Sequence, residues 1–123
     1  MSTIAPRRPL VLAVVVVLMV VQSVVVYLPL GPGPPSSIPH SDKVIHAVVF
    51  GGPILVAGLA KGRSWLLVGL VSAVHAPVSE VIQHRFLIHR SGDPWDVGAD
   101  FVGIGLALAG VSLVLRRPRR RRL

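Results

Sequence analysis

Residues 10–28 read LVLAVVVVLMVVQSVVVYL and contain no charged side chain. At about 1.5 Å of rise per residue, a helix of this length crosses the ~30 Å hydrocarbon layer of a bilayer, and it has no polar stripe with which to face water. Three further apolar windows follow at 44–60, 65–83 and 97–115; 44–60 is short, and 65–83 is interrupted by His75, Pro77 and Glu80. With 52% of its 123 residues hydrophobic and a mean hydropathy of +0.71, the chain is too apolar for an ordinary soluble domain. The expected fold class is all-α: one membrane domain over 1–123, a bundle of four transmembrane helices ending in a basic tail at 116–123. Arg7 and Arg8 would suit a signal peptide, but the run after them is long and no small-x-small cleavage site follows, so a retained helix is expected. The absence of cysteine removes disulfides, thiolate metal sites and thiol nucleophiles together.

Charge orients such a bundle. In a four-span arrangement Arg7, Arg8, Lys61, Arg63 and the tail arginines fall on one side, and only Lys43, Arg85 and Arg90 on the other. The positive-inside rule then makes both termini cytoplasmic, in a multi-pass plasma-membrane protein. All five acids, Asp42, Glu80, Asp93, Asp96 and Asp100, fall on the opposite side with four of the five histidines. The arginine tail is suited to anionic lipid, at about 1 kcal/mol per basic residue near the surface. Basic residues that hug a span with no interleaved aromatics do not suggest nucleic acid.

Local patterns place side chains on the helices. The first span carries only Gln22 and Ser23 as polar interruptions and reads as a lipid-facing anchor; Pro29 ends it. GPGPPSSIPHS at 31–41 cannot hold a helix, and Ser41 or Asp42 is placed to cap the second one. Asp42, His46 and Phe50 share one side of that helix, with Lys43 beside them. His46 sits about one turn inside an apolar span, where an imidazole needs a partner. Pro53 frees the carbonyl of Val49 for a donor from elsewhere. In the third span Gly69, Ala73 and Ala76 lead to Glu80 and Gln83; in the fourth Asp96 and Asp100 lead to Gly103, Ala107 and Gly110. Antiparallel docking of these two small-residue stripes would bring Glu80 and Gln83 beside Asp96 and Asp100. His75 lies off the stripe and receives no role. Trp95 suits the headgroup level.

Asp96 and Asp100 are one turn apart, about 6 Å in depth, and cannot both be ionised cheaply without a cation nearby. Two compatible arrangements follow. Arg90, Lys43 or protonated His46 pairs with Asp96, or Asp100 is held neutral and donates a hydrogen bond.

The ordered set Asp42-Lys43-x-x-His46-x-x-x-Phe50, Glu80-x-x-Gln83, Arg90-Ser91-Gly92 and Asp96-x-x-x-Asp100-x-x-Gly103 resembles the VanZ-like family of small bacterial membrane proteins. The resemblance spans 42–110. It implies a bundle of about four transmembrane helices in the cell envelope, and a setting in which the family's named member is linked to resistance to the glycopeptide teicoplanin. The chief departure is Asp100, where the family's pattern usually has Asn. A neutral carboxylic acid offers one donor and one acceptor, much as an amide does, so the departure favours a protonated Asp100.

The expected function is binding or modification of an envelope lipid or glycan headgroup at a polar site made by Asp42, Lys43, His46, Glu80, Gln83, Arg90, Asp96 and Asp100. An enzymatic version would use Glu80 or Asp96 as general base, with His46 or Arg90 assisting. The alternative class is a small proton-coupled transporter or permease, since intramembrane acids and histidine build such paths; the absence of acids from the cytoplasmic halves of these helices argues against it. A divalent-metal site from His46, Glu80, Asp96 and Asp100 lacks any close ligand pair, so no metal or other cofactor is expected. A holin-like pore former is a further alternative, separable by whether expression permeabilises the membrane.

Overall fold

A computed structural model describes residues 8–27, 41–60, 62–86 and 94–116. The fold is all-helical: α1 (Arg8–Tyr27), α2 (Ser41–Ala57), α3 (Ser64–Phe86) and α4 (Pro94–Arg116). Three of them, α1, α3 and α4, are long and apolar enough to cross a membrane; α2 has 17 residues. Two of them begin where local chemistry favours it. Ser41 and Asp42 open α2, and Pro94 opens α4, where a missing backbone donor costs nothing. α2 ends in a tightened turn, with Leu59 N donating to Val56 O and Ala60 N to Ala57 O. Gly62, at φ 109°, then takes the left-handed conformation that lets the chain reverse into α3.

α2 touches all three other helices, whereas α1 and α4 do not meet among the described residues. The core lies along α2: Val26, Phe50, Ile54, Ala76, Ile104, Ala107 and Val111 are buried against one another, with Trp65, Val68, Ala73 and Leu108 packed around them. Large apolar side chains face outward on every helix, among them Val17, Val48, Leu70 and Leu106.

The small-residue stripe of α4 packs on α2 rather than on α3, which corrects the sequence expectation. A Cβ on Gly103 would collide with the backbone carbonyl of Ala47, and one on Gly51 would lie 2.7 Å from the carbonyl oxygen of Gly103. Further along, Gly51 faces Ala107, Leu55 faces Gly110 and Gly58 faces Val111. α2 therefore has its own matching stripe, Ala47, Gly51, Leu55 and Gly58, and the two helices run parallel. α3 does pack on α4, but through Gly69 against the Leu108 side chain at the far end, where a Cβ would stand 2.8 Å from Cδ2.

Only a glycine at 103 permits this backbone approach, so Gly103→Ala should destabilise the fold by about 1–3 kcal/mol as α2 and α4 are forced apart. Gly105, whose Cβ would meet nothing within 4 Å, is the control in the same helix. Thermal unfolding in detergent should show a lowered midpoint for Gly103→Ala and none for Gly105→Ala.

Candidate functional site

Parallel packing of α2 and α4 brings their first turns level at one end of the molecule, with Lys43 and His46 of α2 facing Asp96 and Asp100 of α4. Lys43 Nζ lies 3.3 Å from Asp96 Oδ1 and 3.3 Å from Asp42 Oδ2. His46 sits between the two acids of α4. Its Nδ1 is 2.8 Å from Asp100 Oδ1, and its Nε2 is 3.7 Å from Asp96 Oδ2. Side-chain exposure falls from 26% at Lys43 to 16% at Asp96, 12% at His46 and 2% at Asp100, so the cluster runs from an accessible rim to a closed base. Asp42 stands outside it, exposed.

The charge of the cluster constrains its protons. Lys43 and an ionised Asp96 cancel, leaving His46 and Asp100 neutral in sum when one proton is shared between them. The proton either rides on Nδ1 and is donated to the carboxylate, or sits on Asp100 and is donated to the imidazole. Either form satisfies a 2.8 Å contact. Both arrangements expected from the sequence are therefore compatible with one geometry: Lys43 and His46 flank Asp96, and Asp100 has a partner in its buried position. The general-base pairing of Asp96 with His46 is, at 3.7 Å, longer than a direct proton transfer uses. The closely joined pair is His46 with Asp100.

Other expected site residues lie elsewhere. Gln83 is buried, but its Nε2 donates to the carbonyl of Val26 on α1 at 2.6 Å, so it ties α1 to α3 instead of meeting the acids. Glu80 is half-buried and lines a groove of about 390 Å³ with Val81, His84, Arg85 and Pro94, between the end of α3 and the start of α4. Arg90 lies outside the described residues. Of the small positions, Gly69, Ala76, Gly103 and Ala107 are buried, Ala73 packs against the core, and Gly110 is half-buried. Trp95 is exposed at the start of α4. Among the described residues no three His, Asp or Glu side chains converge in a way that could hold a metal ion.

A second polar network lies deeper, and sequence reasoning missed most of it. Gln22, read as part of a lipid-facing anchor, is fully buried and donates from Nε2 to the carbonyl of Val49 at 3.2 Å. That carbonyl is the one Pro53 deprives of its helical donor, as the sequence implied. The donor identities then fix the rest of the chain. Gln22 turns its amide nitrogen to Val49, so its Oε1 faces His75 Nδ1 at 2.8 Å and can only accept; Nδ1 must carry the hydrogen. A neutral His75 then accepts at Nε2 from the Tyr27 hydroxyl, 2.8 Å away. The Phe50 ring stands between the networks. It is stacked on His46 at 6.5 Å and tilted against His75 at 5.7 Å between ring centroids.

No protein-family model, curated protein or solved structure matches this chain.

Removing one side of a buried pair costs more than removing both. His46→Leu should destabilise by roughly 3 kcal/mol or more, because Asp100 is left buried without a partner. Adding Asp100→Leu should recover much of that loss. Denaturant titrations in micelles measure this double-mutant cycle, and strictly additive losses would mean that the two side chains do not interact.

Proposed function

We propose that this chain is a VanZ-like integral membrane protein of the bacterial cell envelope that binds the polar headgroup of an envelope lipid or glycan precursor through Lys43, His46, Asp96 and Asp100. In this reading all four helices span the bilayer, both termini are cytoplasmic and the cluster faces outward. The exposed valines and leucines on every helix support a hydrocarbon surrounding, and the distribution of basic residues supports the orientation. The ordered motif pieces from Asp42 to Gly103 support the family reading.

The observation that carries the headgroup reading is the meeting of Lys43, Asp96, His46 and Asp100 at one helix end, with exposure graded from rim to base. A phosphate could be taken by Lys43 as it releases Asp96, and the freed Asp96 carboxylate could then accept from an amine or sugar hydroxyl of the same headgroup. His46 and Asp100 form the floor. This exchange breaks one exposed-side ion pair and makes two charge-assisted contacts, so mixed-sign or polyhydroxylated headgroups fit better than a simple anion. The arginines at the other end hold anionic lipid.

The test is susceptibility to teicoplanin and to envelope stress in cells expressing wild type, Lys43→Met, Asp96→Asn or Gly105→Ala at matched levels. Wild type and Gly105→Ala should shift susceptibility relative to the empty vector, and the two cluster variants should lose that shift. Equal profiles for all four would reduce the cluster to scaffolding.

A further inference from the structure

One inward-facing row of α3 is polar at every position but one. Ser64, Val68, Ser72, His75, Ser79 and Gln83 follow one another in steps of four, four, three, four and four residues, which keeps them on one side of a helix. From Ser64 to Gln83 this face covers about 28 Å, close to the ~30 Å hydrocarbon thickness of a bilayer. Ser72, Ser79 and Gln83 are buried. Gln83 is bonded to Val26, and Ser79 donates to the carbonyl of Ala76 at 2.9 Å.

Ser72 and Ser64 differ from these. The hydroxyl oxygens of both are shielded from solvent, and neither has a hydrogen-bonding partner among the described residues. A serine in a helix commonly satisfies itself on the carbonyl one turn back, as Ser79 does here, so two shielded hydroxyls without a partner need another explanation. They lie on the same face as His75, one turn and three turns below it. Above His75 stands the proton-sharing pair His46–Asp100, and the Phe50 ring contacts both imidazoles.

We propose that the inward face of α3 is a proton route that runs from the His46–Asp100 pair past Phe50 to His75 and on through Ser72 to Ser64, with Phe50 as its gate. His46 and Asp100 hold the proton that enters. When the Phe50 ring turns aside, water joins the two imidazoles, and the proton passes to His75 Nε2. Tyr27 then turns its O–H away and presents a lone pair to the new N–H, so the contact survives with its direction reversed. Loss of the proton from Nε2 to water held by Ser72 restores the starting state. Val68 occupies the turn between Ser72 and Ser64, so water must also thread past it. No electron moves, and each proton taken up at one end is released at the other.

The route does not depend on the headgroup reading. A protein that left glycopeptide susceptibility unchanged could still carry protons, and one that binds a headgroup need not.

Purified protein reconstituted into vesicles, with valinomycin and potassium to balance charge and an internal pH dye, provides the test. Wild type should dissipate an imposed pH gradient faster than protein-free vesicles, Phe50→Ala faster still, and Ser72→Ala and His75→Gln at least about tenfold more slowly than wild type, equivalent to ~1.4 kcal/mol on the barrier. Ser72→Ala removes one oxygen with no bonding partner, so it should fold as wild type does and decide the matter even if His75→Gln is unstable. The proposal is overturned if neither wild type nor Phe50→Ala exceeds protein-free vesicles. It is equally overturned if folded Ser72→Ala conducts as wild type does.

Discussion

The backbone contact between Gly103 of α4 and Ala47 of α2 fixes the register on which the rest depends. Where the surroundings are hydrocarbon, apolar side chains gain little by leaving lipid for one another, and helices hold together through close packing and short polar contacts. A missing Cβ at 103 and another at 51 let the two backbones meet carbonyl to Cα. Weak Cα–H···O contacts can then add to the packing. Because α2 and α4 run parallel from this point, their first turns rise to the same level. Lys43 and His46 then face Asp96 and Asp100 with no loop required to hold them there.

The same economy governs the deeper network. A proline inside α2 leaves one carbonyl without its helical donor, and an amide from α1 supplies it. That amide can then only accept from His75, and a neutral His75 can only accept from Tyr27. Each bond sets the direction of the next, and the series joins three helices through groups that would be costly to bury singly. Gln83 adds a further tie to α1 through the carbonyl of Val26.

Much of this was legible in the sequence where the signal is local. Apolar runs gave the four helices, Ser41 and Asp42 gave the start of α2, and Pro53 marked the carbonyl of Val49 as seeking a donor. The spacing of Asp96, Asp100, Gly103 and Ala107 gave the working face of α4. What remained hidden was pairing. Small-residue stripes carry no address, so the stripe of α4 could be matched to Gly69 and Ala73 of α3 as readily as to Ala47 and Gly51 of α2. Gln22 looked lipid-facing because its two partners, Val49 and His75, are 27 and 53 residues away. His75 is inconspicuous because the small residues of α3 mark one face, and the buried polar row lies partly beside them.

The Phe50 ring contacts a histidine of each of two polar networks. The outer one has the graded exposure of a site that meets a ligand, and the inner one has the closure of a structural tie with a titratable group at its centre. The outer one rests on His46 standing where α2 and α4 bring it, against a buried acid. Solid-state NMR on the protein in lipid bilayers, with labelled histidine nitrogen and aspartate carboxyl carbon, reads that contact directly. A strong dipolar coupling between His46 Nδ1 and the Asp100 carboxyl, as a 2.8 Å hydrogen bond requires, is the expected result; no coupling between them would contradict the packing of α2 on α4 and the site built upon it.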